Sequence, residues 1–328
     1  MRRTLVVLFT VVLLLLQIAV YIPVASSGNG LTIVVTFPFL YEDIDELVCK
    51  GDAVVNLVKP GMDPHEYLLT PSDIDLIKRA DLIISTGHAP FETRIRELAE
   101  SGQIHGKLIE LPSISGVTIL RHPQTNVTNY HGIQFYSRNY ELLIEDVEHA
   151  LEMLRPECAS VYRASAEKLL QDLAALNSSV RRFSGWLAVV DLPPLQYVAV
   201  WLGLDVKQVL AREEDVPITP QDYTNAESII SSAKHVVVIA TIGSAAEDKL
   251  RDMARRHGAL FIALPNPLTY NGSLEYLRTV AQIVSNVSLA TVTQQAGGSS
   301  VSTPMLVGVV LFVIAVSIIM MYLWFKRR

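Results

Sequence analysis

Short apolar runs alternate with amphipathic segments along most of the chain, and this alternation constrains the fold more than any other feature. The apolar runs lie at 31–37, 53–58, 81–86, 107–112, 185–191, 235–241 and 259–265. Each has the length of a buried strand, and the segments between them have helical spacing. Strands that alternate with helices are typical of parallel sheets covered by helices. The sequence therefore predicts an α/β fold.

The alternation is interrupted once, by a continuous helical pattern over 138–183. Pro156 can begin a helix within this segment, because the first helical position does not need an N–H group. A helix over 156–183 would be roughly 40 Å long, which is too long for one small lobe. We expect two lobes, each a mostly parallel sheet flanked by helices, at 30–155 and 184–292. The long, rigid helix would join them.

Both ends of the 328-residue chain carry long apolar runs. Residues 1–28 begin with two arginines next to Met1 and end in small residues, as in a secretory signal peptide or an N-terminal anchor. Residues 305–325 are uncharged, long enough to cross a bilayer and followed by three cations, which favours a cytoplasmic end. A polar, flexible linker at 293–304 precedes them. These patterns predict an extracytoplasmic body held in the cell membrane by one C-terminal transmembrane helix.

Cysteine content and charge narrow the options further. Cys49 and Cys158 are the two cysteines of the chain, and an oxidising location would allow a disulfide between them. Two buried free thiols fit the sequence equally well. The formal net charge is −6, and the body has no basic cluster. This charge distribution argues against nucleic acid as a partner.

Loops at the carboxyl ends of the predicted strands are the expected ligand-binding positions of such sheets. They are 37–39, 60–67, 86–92, 191–194 and 265–267. The second of these loops holds His65 between Asp63 and Glu66, and the third holds His88 and Glu92. Converging imidazoles and carboxylates are the ligands that zinc and manganese use. Glu92 would serve equally well as a cap for the helix that follows.

The stretch "KPGMDPHEYLLTPSDIDLIKRADLIISTGHAPFE" (59–92) joins two of these loops through a helix start at Thr70 and Pro71. It resembles the zinc- and manganese-type solute receptors of ABC importers. In that family, a PG-x-DPHxYEPTPSD-like segment precedes an ADL strand and a G-x-x-x-E loop. The resemblance implies a receptor that captures divalent zinc or manganese in an interlobe cleft. It would pass the metal to an ABC permease, which is driven by a separate ATPase subunit.

The resemblance also implies four metal ligands, which this chain does not all retain. Members of the family use the histidine of the DPH segment, here His65. A second histidine follows an asparagine in an N-P-H-x-W-like segment, here His131. The second lobe supplies a histidine and an acid, and these positions hold Leu192 and Asn266 in this chain.

Two further residues are predicted to compensate for this loss. His88 follows the third predicted strand and should face the same cleft as His65. Asp191 precedes Leu192 and is the remaining carboxylate at that end of the second lobe. We therefore predict His65, His88, His131 and Asp191 as metal ligands. Around them we expect Asp63, Glu66, Glu92 and Asn266.

Two other functions remain open at this stage. The loss of both second-lobe ligands would fit the same fold with a degenerate metal site, which binds another ligand or acts as a surface interaction protein. A surface metal-dependent hydrolase is the third option. The chain has no H-E-x-x-H or G-x-S-x-G motif, and no phosphate-binding loop for ATP. We therefore expect that the protein is not an enzyme.

Overall fold

Residues 30–60, 62, 66–212 and 216–287 are described by the structure, which is a computed structural model. The strands are β1 (Thr32–Val35), β2 (Ala53–Asn56), β3 (Leu82–Ser85), β4 (Lys107–Glu110), β5 (Leu187–Val190), β6 (Asp205–Val209), β7 (Val236–Thr241) and β8 (Leu260–Leu264). They form two sheets, with orders β2-β1-β3-β4 and β6-β5-β7-β8. All neighbouring strands in both sheets are parallel.

Helices flank both sheets, so the predicted α/β fold with two parallel sheets is confirmed. They are α1 (Pro38–Leu47), α2 (Pro71–Arg79), α3 (Pro90–Glu100), α4 (Ser137–Leu154), α5 (Ala159–Ser179), α6 (Pro194–Trp201), α7 (Pro220–Ser232), α8 (Glu247–His257) and α9 (Ser273–Asn286). Thr70 caps α2 as expected, because its hydroxyl accepts the N–H of Asp73 at 3.2 Å. Asp73 in turn accepts the N–H of Thr70 at 2.8 Å.

The helix between the two sheets is shorter than the predicted 156–183. Pro156–Cys158 is a 3-10 turn, α5 follows it, and Arg181–Phe183 is a second 3-10 turn. Helix α5 packs against α1 and α4. Helix α9 follows the second sheet in the chain, yet it also packs against α1 and α5. Both α5 and α9 thus pack against helices of the first lobe, and α5 also links the two sheets along the chain. The lobe boundaries at 155 and 184 stay predictions.

Cys49 and Cys158 form a disulfide, which settles the alternative left open by the sequence. Their Cα atoms are 6.1 Å apart, and the bond joins the end of α1 to the start of α5. Asp52 strengthens this junction, because its carboxylate accepts hydrogen bonds from Arg155 at 2.6 Å and from Tyr162 at 2.8 Å. The first lobe is therefore fixed covalently and electrostatically to α5.

Asp43 of α1 fixes the last helix to the first lobe. Its buried carboxylate accepts the N–H groups of Ser273 at 2.7 Å and Leu274 at 3.3 Å, which are the first two residues of α9. The hydroxyl of Ser273 donates to the carbonyl of Phe39 at 2.7 Å. The N–H groups of a first helical turn have no partner within their own helix. Asp43 supplies that partner from another element.

The predicted localisation, a membrane protein with a C-terminal spanning helix, is corrected here. In the part of the chain that the structure describes, no helix is both long enough and apolar enough to cross a bilayer. The longest of these helices, α5, has 21 residues and exposes charged side chains such as Glu167. The segments predicted as signal peptide or N-terminal anchor (1–28), linker (293–304) and transmembrane helix (305–325) lie outside the described residues.

Asp43 should make stability depend on pH. Burial raises its pKa from 3.8 to about 7, although the N–H groups of Ser273 and Leu274 oppose this shift. The folded state therefore holds a proton that the unfolded chain has lost. The contribution of Asp43 to the free energy of unfolding is fully present below pH 4 and is lost as the pH rises to about 7. This contribution is at most about 4 kcal/mol.

We expect Asp43→Asn to flatten the pH dependence of the free energy of unfolding between pH 4 and pH 7. Urea denaturation of the wild type and the variant across this range measures the difference. Asp45→Asn is the matched control, since Asp45 lies on the same helix with its side chain exposed. An unchanged slope in Asp43→Asn would contradict the assignment.

Candidate metal site

Glu92 organises the loop that carries His88. Its buried carboxylate accepts the N–H groups of Thr86 at 2.7 Å, His88 at 3.0 Å and Ala89 at 3.0 Å. The hydroxyls of Ser85 and Thr86 also donate to it, at 2.9 and 2.8 Å. Burial alone would raise the pKa of Glu92, but the nearby His88 and these hydrogen bonds lower it below its ordinary value. Glu92 is therefore an ionised cap of α3.

His88 is oriented from three sides. Its Nδ1 atom lies 3.1 Å from the hydroxyl of Thr86 and 3.9 Å from the Glu92 carboxylate. The imidazole stacks in parallel with Phe37, with 6.3 Å between the ring centroids. Only 14% of the side chain is exposed. A hydroxyl and a carboxylate beside an imidazole fix its rotamer, as the outer partners of metal-binding histidines do.

Residues of α6 in the second lobe position the loop of His131. The side chain of Asn129 donates to the carbonyl of Pro193 at 2.9 Å and to Gln196 Oε1 at 2.8 Å, and its own Oδ1 accepts the N–H of His131 at 3.0 Å. The hydroxyl of Tyr197 donates to the carbonyl of Asn129 at 2.5 Å. Through these bonds, the second lobe fixes the backbone position of His131. None of them involves the imidazole ring.

Gly132 allows this loop to approach α6 closely. Its φ is +76°, in the left-handed region that favours glycine. A Cβ atom at this position would lie 2.9 Å from the Cα atom of Pro194 and 2.9 Å from the ring of Phe135. Any larger residue would push the His131 loop away from the second lobe.

The rings of His88 and His131 meet at the junction of the two lobes. Their centroids are 4.7 Å apart, and the ring planes are inclined by 69°. Both rings line a cavity of about 30 Å³, together with Phe37, Phe39 and Pro267. Two imidazoles in a largely apolar space are a suitable start for a transition-metal site.

His65 and Asp63 lie outside the described residues, and the anchor of their loop is nearby. Tyr67 donates to Asp73 at 3.0 Å and packs edge-on against Phe91, with 5.0 Å between the ring centroids. Phe91 in turn contacts Phe37, on which His88 stacks. The side chain of Glu66 is exposed. The chain two residues after His65 is thus held in the aromatic cluster beside His88.

Asp191 and Asn266 line a different cavity. It has a volume of about 630 Å³ and is bordered also by Leu192 and Tyr223. The carboxylate of Asp191 is buried and accepts the N–H groups of Leu192 and Thr241, both at 2.7 Å. Burial raises its pKa despite these bonds. Asp191 connects the ends of β5 and β7.

Asn266 also has a local structural role, since its Oδ1 accepts the N–H of Leu268 at 2.9 Å and caps a short 3-10 turn. The structure therefore brings together His88, His131 and Glu92, while Asp191 and Asn266 line the cavity next to theirs. Within the described ranges, no three histidine, cysteine or carboxylate side chains form a metal site by themselves. The complete ligand set stays a prediction.

Sequence reasoning did not identify Asn129, Gln196 and Tyr197 as contributors to the site. Asn129 and Tyr197 are 68 residues apart in the chain and meet only because the lobes pack against each other. The one sequence feature that could have indicated this role is Asn129 itself, which lies two residues before the predicted ligand His131. Gln196 and Tyr197 lie in the otherwise apolar first turn of α6, and nothing in the sequence indicates that they contact the His131 loop.

Two parallel-sheet lobes with imidazoles at their junction define a solute receptor suited to a metal ion. The chain matches a protein-family model over residues 33–301, described as "Zinc-uptake complex component A periplasmic" (ZnuA). The match covers most of the chain, and the protein belongs to this family of metal-binding receptors.

Individual relatives agree with this membership. The chain is 25% identical to the manganese-binding lipoprotein MntA of Halalkalibacterium halodurans over 46% of its length and 49% of the relative. It is 27% identical to the iron-binding protein YfeA of Yersinia pestis, over 48% of this chain and 50% of YfeA. The chain thus spans about half the length of these curated relatives.

A solved structure shows the same fold over a larger part of the chain. The receptor FpvC of Pseudomonas aeruginosa, in complex with Mn²⁺, matches with a TM-score of 0.62 and 20% identity. The match covers 81% of this chain and 98% of FpvC.

Removal of the Tyr197 hydroxyl tests whether α6 positions His131. This hydroxyl donates to Asn129 and accepts the N–H of Leu120 at 2.9 Å. We expect Tyr197→Phe to weaken metal binding about tenfold, because outer partners fix the ligand geometry. Titration against a chromophoric chelator measures the affinity. Thermal unfolding separates this effect from a stability loss of about 1–3 kcal/mol.

Tyr276→Phe is the control for this variant. Tyr276 is also fully buried, and its hydroxyl has no hydrogen-bond partner in the described part of the chain. Its removal should leave the metal affinity unchanged. Equal affinity in Tyr197→Phe and the wild type would show that the network does not act on the site.

Proposed function

We propose that the protein captures a divalent transition metal, zinc or manganese, between its two lobes and delivers it to an ABC-type permease. The observation that carries this proposal is the contact between the rings of His88 and His131 at the lobe junction. Membership in the ZnuA family supports the same function. Neutral imidazole is a preferred ligand of such metals.

The proposed ligands are His65, His88 and His131. His65 would complete the site from a loop whose anchor, Tyr67, packs in the same aromatic cluster. A site of three imidazoles favours zinc, whereas added carboxylate oxygens favour manganese. The relatives carry manganese or iron in their names, and FpvC is complexed with Mn²⁺. Asp191 accepts hydrogen bonds from Leu192 and Thr241 and lines the neighbouring cavity, so we leave it out of the proposed ligand set.

Delivery requires a membrane permease and an ATPase on other chains, because this sequence has no phosphate-binding loop. Membership in a family of transport receptors is consistent with the expectation that the protein is not an enzyme. The alternative, a degenerate site that serves another ligand, rests on Leu192 and Asn266. Both line the 630 Å³ cavity, which is large enough for a small organic molecule.

Calorimetric titration of the purified full-length protein with zinc and manganese tests the proposal. We expect one tight site for at least one of the metals. His65→Ala, His88→Ala and His131→Ala should each weaken it about a hundredfold or more, because each removes a ligand. His105→Ala is the control, since His105 is exposed and precedes β4, at the opposite end of the first sheet from His88.

Two results would contradict the proposal. Absence of tight binding to either metal would favour a degenerate site and direct the search to the cavity beside Asp191. Tight binding that persists in all three variants would place the metal elsewhere on the protein.

A further inference from the structure

A second cavity lies on another side of His131. It has a volume of about 190 Å³, which leaves room for several water molecules or a small anion. Before His131, residues 121–128 form a hairpin closed by an antiparallel bridge between Arg121 and Thr128. The polar lining of the cavity includes His122, Thr125 and Thr128 of this hairpin, and Arg212 after β6. The cavity thus lies between the hairpin and the second lobe, with His131 as a shared wall.

His122 is the buried polar group of this cavity. The residue is 5% exposed, and neither ring nitrogen has a hydrogen-bond partner among the residues that the structure describes. The backbone of Val209 and Ala211 lies beside the ring but forms no hydrogen bond of normal geometry with it. A buried imidazole without partners costs about 1–3 kcal/mol. Such a group on the wall of a cavity indicates that an occupant supplies the partner.

Arg212 brings a positive charge to the same space, and its side chain forms no hydrogen bond with the residues that the structure describes. In the described part of the chain, its one ion pair is with Asp222, at a distance of 4.0 Å, which is beyond hydrogen-bond range. The Asp222 carboxylate accepts instead from the N–H and hydroxyl of Thr219. A guanidinium has five N–H donors in a fork that fits oxyanions. These donors, on the one charged side chain among the described residues that line the cavity, favour an anion over a cation.

We propose that this cavity binds a small oxyanion, such as bicarbonate, phosphate or a short carboxylate, through Arg212 and His122, and that the bound anion strengthens metal binding at His131. The second part rests on the proposed function. Three neutral imidazoles leave the charge of a divalent metal uncompensated, and Glu92 supplies one negative charge nearby. The position at which the family has an acid holds Asn266. An external anion would supply the missing negative charge.

The first test is anion binding to the metal-free, full-length protein. Bicarbonate, phosphate and acetate are titrated separately by calorimetry at constant ionic strength, which identifies the preferred class. We expect saturable binding of at least one anion in the millimolar range, because Glu213, Glu214 and Asp215 follow Arg212 in sequence and their charges oppose an anion.

Substitutions of the lining residues test whether the anion binds in this cavity. Arg212→Gln and His122→Phe should each weaken anion binding at least tenfold, and Arg212→Lys should retain only part of the affinity because it keeps the charge without the fork. Lys207→Gln is the control, since it removes an exposed positive charge of β6 that pairs with Asp205. Absence of saturable binding, or equal binding in Arg212→Gln and the wild type, would overturn the site.

The second test measures the coupling between anion and metal. Metal affinity should increase about tenfold at a saturating concentration of the preferred anion, and the metal should tighten anion binding by the same factor. Arg212→Gln should abolish both effects. Tight metal binding that does not respond to the anion would overturn the coupling. If no metal binds, the proposed function fails, while the first test still decides whether the anion site exists.

Discussion

The hydrogen bonds of Asn129 are the interaction on which the junction of the lobes depends. This buried side chain bonds at once to Pro193 and Gln196 of the second lobe and to the backbone of His131. A buried amide pays a large desolvation cost unless its donors and acceptor are all paired, so this arrangement allows little variation. The position of His131, and hence its contact with His88, follows from these bonds.

The two lobes thus contribute differently to the site. The first lobe supplies the imidazole of His88, oriented by Thr86 and the ionised Glu92. The second lobe supplies the framework that holds His131, while its own carboxylate, Asp191, connects β5 to β7. The second lobe therefore has a role at the site that does not depend on metal binding by Leu192 or Asn266.

Much of this arrangement could be predicted from local sequence patterns. The alternation of apolar runs and helical segments fixed the two parallel sheets, and Thr70 and Asp73 marked the start of α2 because capping uses neighbouring residues. The rule that loops at strand ends converge placed His88 after β3, where its ring meets that of His131. The bond between Cys49 and Cys158, the network around Asn129 and the capping of α9 by Asp43 could not be predicted. Each joins residues that are far apart in the chain and depends on how the lobes pack.

The measurement that tests the central claim most directly is anomalous diffraction from crystals of the metal-loaded protein, recorded at the absorption edge of zinc or manganese. We predict one strong peak at the lobe junction, about 2.0–2.1 Å from imidazole nitrogens of His65, His88 and His131 if the metal is zinc. A peak in the cavity beside Asp191 and Asn266, or metal bound without His88 and His131, would contradict this account.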